Sequence, residues 1–410
     1  MLNTIDLFVG CGGLSEGFEQ SGKYKMLGAV EWEPSPVMEL RDHLKRKWNM
    51  YDAEKRVLQF DIQRTAELFS GWDDPTYGTS NGLDELIGKE TLDLIIGGPP
   101  CQAYSVAGRI RDEHGMREDY RNYLFESYLE VVQHYKPKAF VFENVPGILS
   151  AKPGDGSVRI ISLIQKAFAD AGYVVLSDLS KAVVDMTEYG VPQNRKRIII
   201  LGLSKDYYGE KAEDLVASFY TSYLPEYKVE KKSTVRDAIG DLPKLRPLES
   251  PIRYEGRKLS HSLPEPLING HVSRFHSTRD IELFRFLEED IASGKMEYTS
   301  TDTLKDLYTK LTGKTSNVHK YYVLRWDEPS NLIPAHLFKD GLRHIHPDPE
   351  QARTITVREA ARLQTFPDDY LFNCSQTDAF KMIGNAVPPL FAKKLANAVY
   401  HLIQENQEGR

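Results

Sequence analysis

Cys101 is one of only three cysteines in 410 residues, and it sits in the stiff stretch 97-GGPPCQAYSVAGR-109. Pro99 and Pro100 fix φ and remove two N–H groups just before it. A thiol held that rigidly suits a nucleophile, although a lone cysteine is more often a small buried residue. A carboxylate, Glu143, closes the apolar run 140-FVFENVPG-147. Burial there raises a carboxyl pKa and lets the group hold or share a proton near neutrality; the plainer alternative is an acid capping the next turn. In 189-YGVPQNRKRIII-200, Arg195 and Arg197 fall on one face of a strand. There they suit a phosphate or an anionic intermediate, or simply form a charged strand entrance.

A second group of residues suits a nucleoside. In 6-DLFVGCGGLSEGF-18, Gly10, Gly12 and Gly13 follow a strand-like run and open a helix. Glycines there let a ligand approach backbone at a helix N-terminus, though the same turn can serve close packing. Glu31 ends the next strand about 20 residues on, where an acid binds ribose hydroxyls. Trp32 beside it suits stacking on adenine, and Asp61 in 59-QFDI-62 suits the adenine amino group. The spacing is G-x-G-G, not the dinucleotide G-x-G-x-x-G, which favours S-adenosylmethionine over a nicotinamide cofactor.

Positioning these residues requires a sheet. Strand-like runs occupy 4-TIDLFV-9, 26-MLGAVEW-32, 92-LDLIIG-97, 138-KAFVFEN-144, 173-YVVLSDL-179 and 197-RIIILGL-203. Helical periodicity separates several of them, as in 119-DYRNYLFESYLEVVQHY-135, where Leu124, Tyr128, Leu129 and Val132 recur on one face. The alternation predicts an α/β domain with a doubly wound, mostly parallel sheet, Rossmann-like. From 204 the period fails. Residues 276–312 regain helical character, 321–341 reads as strand and turn, and 377–403 returns to helix. The last helix's stripe of Leu390, Leu395, Val399 and Leu402 predicts packing back on the first domain. The expected division is a catalytic and cofactor-binding domain, 1–203 plus 378–410, and a smaller irregular domain, 204–377.

Composition limits the alternatives. Hydrophobic residues make up 41% and charged residues 27%, an ordinary globular balance. No apolar run approaches the ~18 residues a membrane helix needs. The N-terminus lacks a basic region and a cleavage site, so a cytoplasmic protein without a signal peptide is expected. Three distant cysteines fit a reducing compartment, and no spacing suggests a metal site. The net charge of −7 argues weakly against a nucleic-acid partner, yet residues 231–280 hold ten Lys/Arg against six Asp/Glu.

The ordered set DLFVGCGG, EW, FDI, GGPPCQAYSVAGR, ENVPG, YGVPQNRKR, RTITVREAARLQTFPDDY (353–370) and IGNAVPP (383–389) resembles the DNA (cytosine-5)-methyltransferases, especially the bacterial restriction–modification type. The motifs span 6–203 and 353–389. The gap, 204–352, falls where that family keeps its target-recognition domain, and 329-PSNLIPA-335 departs from the family's Pro-Thr-Ile. The resemblance implies methyl transfer from S-adenosylmethionine, giving S-adenosylhomocysteine, to carbon 5 of a flipped-out cytosine in double-stranded DNA. It makes Cys101 the nucleophile at carbon 6 and Glu143 the group that protonates or hydrogen-bonds N3. Arg197 would contact the base's carbonyl oxygen, and Arg195 would support Glu143 or a phosphate. Phe8, Gly10, Gly12, Gly13, Leu14, Glu31, Trp32, Asp61, Ile62, Gly98, Pro100, Leu124, Asn385 and Val387 would form the cofactor pocket. Gln102, Ser105, Arg109 and Arg111, on a mobile loop, would touch DNA, with Arg274 and Arg279 as phosphate contacts in the basic stretch. A cognate restriction endonuclease, acting separately, is a further implied partner. Three rivals share parts of the pattern. They are an RNA cytosine-5 methyltransferase, a non-catalytic DNA-binding regulator, which needs neither Cys101 nor Glu143, and a nicotinamide oxidoreductase, which needs a different glycine spacing.

Overall fold

Near-continuous apolar runs form strands covered on both faces. The computed structural model describes residues 1–100, 124–152, 158–315 and 321–406. Its strands are β1 (Leu2–Leu7), β2 (Tyr24–Glu31), β3 (Val57–Gln59), a small hairpin β4 (Trp72–Asp74) and β5 (Gly78–Ser80), β6 (Leu94–Gly97), β7 (Ala139–Asn144), β8 (Tyr173–Val174), β9 (Val183–Asp185) and β10 (Lys196–Ser204). The main sheet runs β3-β2-β1-β6-β7-β10-β8, with β9 also on β10. Five strands, β3 to β7 in that order, are parallel; β10 is antiparallel to its neighbours.

The chain winds outward from β1 to β3, then returns to place β6 on β1's other side. The carboxyl ends of β1 and β6 therefore diverge, and ligands of open α/β sheets bind at such a switch point. The glycine turn follows β1, and 97-GGPP-100 follows β6. Tyr128, on the helix Leu124–Tyr135, is fully buried, and its one hydroxyl proton is shared between the carbonyls of Val141 (3.0 Å) and Ile95 (3.2 Å), tying β6 to β7. Ile5, Leu7, Ile95, Phe140, Phe142, Ile198 and Ile200 fill the core, each worth about 1.5–3 kcal/mol on burial.

The C-terminal helix, Pro389–Glu405, lies on α1 (Gly13–Ser21) as its apolar stripe predicts. A Cβ at Gly17 would stand 2.4 Å from Ala392 Cβ. The Tyr24 hydroxyl donates to the Ala396 carbonyl at 2.8 Å.

The chain divides into two compact units. One comprises 1–190, 195–230 and 386–410; the other comprises 191–194 and 231–385. These limits differ from the expected ones: 204–230 belongs with the sheet, and 378–385 with the second unit. Two strand expectations are corrected. The run 173–179 pairs only at Tyr173 and Val174, because Asp178 accepts from the Ser180 N–H (3.1 Å) and turns the chain. The stretch 321–341 holds no strand, only isolated bridges from Val323 to Ile345 and from Ser330 to Gln193.

The second unit combines a small apolar cluster around Phe284 and Leu304 with a buried polar network. Arg353 is fully buried and bidentate to Glu359 (2.7 and 2.6 Å). His261, His276, His344 and His346 are buried in the same unit. Burial holds them neutral, at about 4, 3, 3 and 3. Glu288 is also buried, and desolvation lifts it to about 9. Histidines with depressed folded pKa values stabilise above the unfolded value of ~6.5, and that stability is lost as pH falls below it. Glu288 works in the opposite sense: its contribution is complete below its unfolded pKa and is lost as pH rises towards 9. Between about pH 6.5 and 4.5, these four histidines and His271, which burial also pushes down, set against one Glu288 proton, leave an uptake of roughly three protons or more on unfolding. The second unit should therefore lose stability steeply as pH falls across that window, and lose some again, more gently, as pH rises from 7 towards 9. Denaturant unfolding followed by Trp326 fluorescence at several pH values checks this, and a flat profile from pH 7 to 5 would contradict it.

Candidate active site

The turn after β1 is conformationally demanding. Phe8 takes φ +59°, a left-handed value a bulky residue rarely adopts, followed by Gly10 at +56° and Gly12 at +79°. The space that a Cβ on Gly10 would enter is open, while one on Gly13 would lie 2.2 Å from the Val387 carbonyl. The first feature leaves room for a ligand at the backbone, and the second brings residue 387 against the start of α1. Glu31 braces the turn. Its Oε2 accepts from the Gly10 N–H (2.8 Å), and its Oε1 from the N–H groups of Trp32 and Glu33 (2.9 Å each). A carboxylate has about four acceptor positions, so one remains for a hydroxyl. Burial nevertheless raises its pKa, with Glu33 adding repulsion. Trp32 is half exposed beside it. Asp61 lies just past β3 and accepts from the Gln63 N–H (3.0 Å); Ile62 and Leu14 are buried. This donor and acceptor set, with its open glycine backbone, fits the nucleoside end of S-adenosylmethionine. Among the described residues no group of side chains could hold a metal ion.

The second half of the site lies across the switch point. Glu143 is the penultimate residue of β7, and its Oε2 would stand 2.8 Å from a Cβ on Gly98. Only glycine lets the carboxylate reach that backbone. Arg197, near the start of antiparallel β10, pairs with it at 3.0 Å, both side chains being 12% exposed. Desolvation raises the Glu143 pKa, against the pull of Arg197 and then Arg195. Arg195 directly precedes the strand, is buried, and donates to the Ala386 carbonyl (2.8 Å). Burial pulls its pKa down, as does the like charge of Arg197. The expected alternation holds: Lys196 between them is exposed.

The structure thus brings Phe8, Gly10, Gly12, Gly13, Leu14, Glu31 and Val387 around one turn, and Gly98, Glu143, Arg195 and Arg197 around another. Pro100 is exposed, and Leu124 is buried in the core of the sheet unit. Asn385 is exposed at the end of the helix Gln376–Asn385. Cys101, Gln102, Ser105, Arg109 and Arg111 lie outside the described residues. One expectation is corrected. Arg274 donates to the carbonyls of Phe338 (2.9 Å) and Leu337 (2.7 Å) and stacks on Phe380, so its guanidinium is committed inside the second unit. Arg279 is exposed beside Asp280.

Sequence reasoning missed three residues. Asn144 is buried; its Nδ2 donates to the Pro99 carbonyl (3.3 Å) and its Oδ1 accepts from the Val145 N–H (2.7 Å). It fixes the segment leading to Cys101, and its place beside Glu143 was the available signal. Gln193 is buried in the second unit, donating to Gln364 Oε1 (2.5 Å) and accepting from the Ile333 N–H (3.0 Å). Asp6, within the first motif, accepts from the Ser15 hydroxyl at 2.6 Å, and burial lifts it to about 7.

A Rossmann-like sheet with a glycine turn at its switch point and a carboxylate–arginine pair across from it is a group-transfer scaffold. The family model described as C-5 cytosine-specific DNA methylase matches residues 2–401. The chain therefore belongs to that family and is a DNA cytosine-5 methyltransferase. It is 34% identical to the type II methyltransferase M.Bpa9945I of Bacillus paralicheniformis, over 98% of this chain and 99% of that protein. It is 30% identical to the type II methyltransferase M.AgeI of Thalassovita gelatinovora, over 97% and 99%. The fold matches the crystal structure of a prophage-encoded DNA modification methyltransferase of E. coli, with TM-score 0.64 at 22% identity, covering 98% of this chain and all of that one.

The Glu143–Arg197 pair yields a prediction. Removing the guanidinium leaves burial unopposed by its main counter-charge, so Arg197→Met should shift Glu143 titration to higher pH. Carbon-13 NMR of labelled glutamate checks it; an unchanged or lower titration would show that the pair does not set the Glu143 charge.

Proposed function

We propose that this chain transfers a methyl group from S-adenosylmethionine to carbon 5 of a flipped-out cytosine within a specific double-stranded DNA sequence, through a covalent Cys101–carbon 6 adduct. The observation that carries the reading is Glu143 held beside Gly98 by Arg197, three residues before Cys101 in the chain. Cytosine carbon 5 is too weak a nucleophile to be methylated directly. Addition of the Cys101 thiolate to carbon 6 makes carbon 5 enamine-like. Glu143, with its raised pKa, supplies the proton or hydrogen bond at N3 that takes up the electron pair. The cofactor supplies an electrophilic methyl on sulfonium. A base, such as water, then takes the carbon 5 proton, its electron pair re-forms the carbon 5–carbon 6 double bond as the Cys101 thiolate leaves, and N3 gives its proton back to Glu143. A nucleophile misplaced by 1 Å costs ~100-fold, so Asn144 and the two prolines act as positioning residues. None of this can occur within a base stack, so the cytosine leaves the duplex.

The glycine turn, Glu31, Trp32, Asp61, Ile62, Pro100, Leu124, Asn385 and Val387 form the cofactor side of this reading. Gln102, Ser105, Arg109 and Arg111 contact DNA, and the second unit reads its sequence. The relatives named as type II methyltransferases support a role beside a separate restriction endonuclease, on cytoplasmic, nucleoid DNA.

Two experiments test it. Cys101→Ser should abolish turnover yet leave fold and S-adenosylmethionine binding intact, and a 5-fluorocytosine duplex should trap the parent covalently, because fluorine does not leave as a proton does. Full transfer by Cys101→Ser would sink the adduct. Glu31→Ala removes both the ribose acceptor and the brace on Gly10. It should weaken S-adenosylmethionine binding by about tenfold to a hundredfold and leave DNA affinity unchanged, which calorimetry and a DNA-binding titration separate.

A further inference from the structure

The second unit contains an antiparallel hairpin, β11 (Pro247–Tyr254) and β12 (Arg257–His261), joined by a two-residue turn with Glu255 at φ +47° and Gly256 at +76°. Both central residues being left-handed makes this a tight turn whose twist matches the strands. The base is fixed. Leu259, Ser260 and His261 are buried, His261 bonds the Gln351 carbonyl (2.8 Å), and the Ser260 hydroxyl accepts from the His276 N–H (2.9 Å). The other end projects, with residues 249–253 and 255–258 exposed.

Its charge is unusual. Of the ten basic residues between 231 and 280, five are engaged. Arg236 pairs with Asp327, Lys244 with Asp348 and Glu350, Arg246 with Glu350, Arg279 with Asp280, and Arg274 with two carbonyls. Lys231 and Lys232 lie at the unit's boundary. The remaining three, Arg253, Arg257 and Lys258, all sit at the hairpin tip and form no ion pair with a described residue. Arg253 and Lys258 are register partners, so their side chains leave the same face directly opposite one another. Like charges so placed destabilise a ladder. The two acids nearby do not relieve this: Glu249 is four residues from Arg253, and Glu255 engages Tyr254. Lys258 stands 4.5 Å over the ring of Phe275, itself exposed, and Ile252 is exposed beside Arg253. A ribbon that keeps three cations without an ion partner among the described residues and the exposed Ile252 at its tip, with exposed Phe275 under Lys258, is built for an anionic partner with apolar features.

We propose that this hairpin is the major-groove reading element, with Arg253 and Arg257 on base edges and Lys258 on a phosphate. The inference rests on the DNA-methylating reading above and names the part of the second unit that meets the duplex. A two-stranded ribbon fits the major groove of B-DNA. Arginine is bidentate to guanine O6 and N7, and an aliphatic side chain such as Ile252 suits a thymine methyl. The deep, narrow groove of an RNA duplex does not admit the ribbon.

The test uses the full chain and the variants Arg253→Ala, Arg257→Ala and Lys258→Ala. Circular dichroism and S-adenosylmethionine affinity should match the parent, since the tip carries no buried side chain. Binding to random-sequence duplex DNA is titrated at several salt concentrations, and methylated sites are mapped on a DNA library. Lys258→Ala should weaken binding to all sequences and flatten the salt slope by ~1. Arg253→Ala or Arg257→Ala should relax discrimination at one position of the site by about tenfold to a hundredfold. Three folded variants with parental salt slope and parental site would overturn the proposal, as would equal losses on an RNA duplex. If the parent methylates no DNA but the variants still lose duplex affinity, the methylation reading fails and the hairpin assignment stands.

Discussion

A carboxylate at the end of a buried strand has to be reached by countercharge and by polar backbone, or it costs several kcal/mol. Glu143 is that carboxylate, and much of the sheet unit is arranged around it. Arg197 reaches it only because β10 runs antiparallel to β7, which puts the entrance of one strand beside the exit of the other. A side chain at Gly98 would stand 2.8 Å from the Glu143 oxygen and push the carboxylate from its place beside that backbone. Arg195, buried next to the same pair, is anchored on the Ala386 carbonyl. One residue later Val387 meets Gly13 at the glycine turn. A single buried carboxylate thus links the glycine after β6, the antiparallel strand, the segment that follows Ala386 and the glycine turn after β1.

Those links explain what could be read from sequence. Strand identity was legible because buried parallel strands are long apolar runs, and the end of each run marked a residue that the structure places at the switch point: Glu31, Gly98, Glu143. The two-residue spacing of Arg195 and Arg197 was enough to orient both. Partners were not legible. Nothing in the period of 140-FVFENVPG-147 distinguishes Asn144, which binds the Pro99 carbonyl, from an ordinary turn asparagine. Glu31 was read as a ligand group, yet three of its acceptor positions serve backbone N–H groups of its own and the neighbouring turn. A sequence shows which groups stand at strand ends; it does not show how much of their bonding capacity the fold has already used.

The second unit defeated periodicity for a different reason. Much of its interior is a bonded polar network, Arg353 with Glu359 and Gln351, and Arg358 with the Asn269 and Tyr370 carbonyls. Charged residues at such positions erase the apolar period that marks a core. Within the segment 353–370, the first arginine adds its charge to burial in keeping neighbouring histidines neutral.

Arginine shows why charge counting needs the structure. Arg353 and Arg358 neutralise and bridge inside the second unit, and Arg274 closes a turn by binding its carbonyls. Arg253 and Arg257 stand in water without an ion partner among the described residues. All five look alike in the sequence. Burial separates them, because a buried guanidinium must have its donors occupied by the protein, while an exposed one keeps them for a ligand. The acidic net charge of the chain is then no obstacle to a DNA partner, since phosphates respond to local, unpaired cations within about a Debye length, ~8–10 Å, and not to the sum over the molecule.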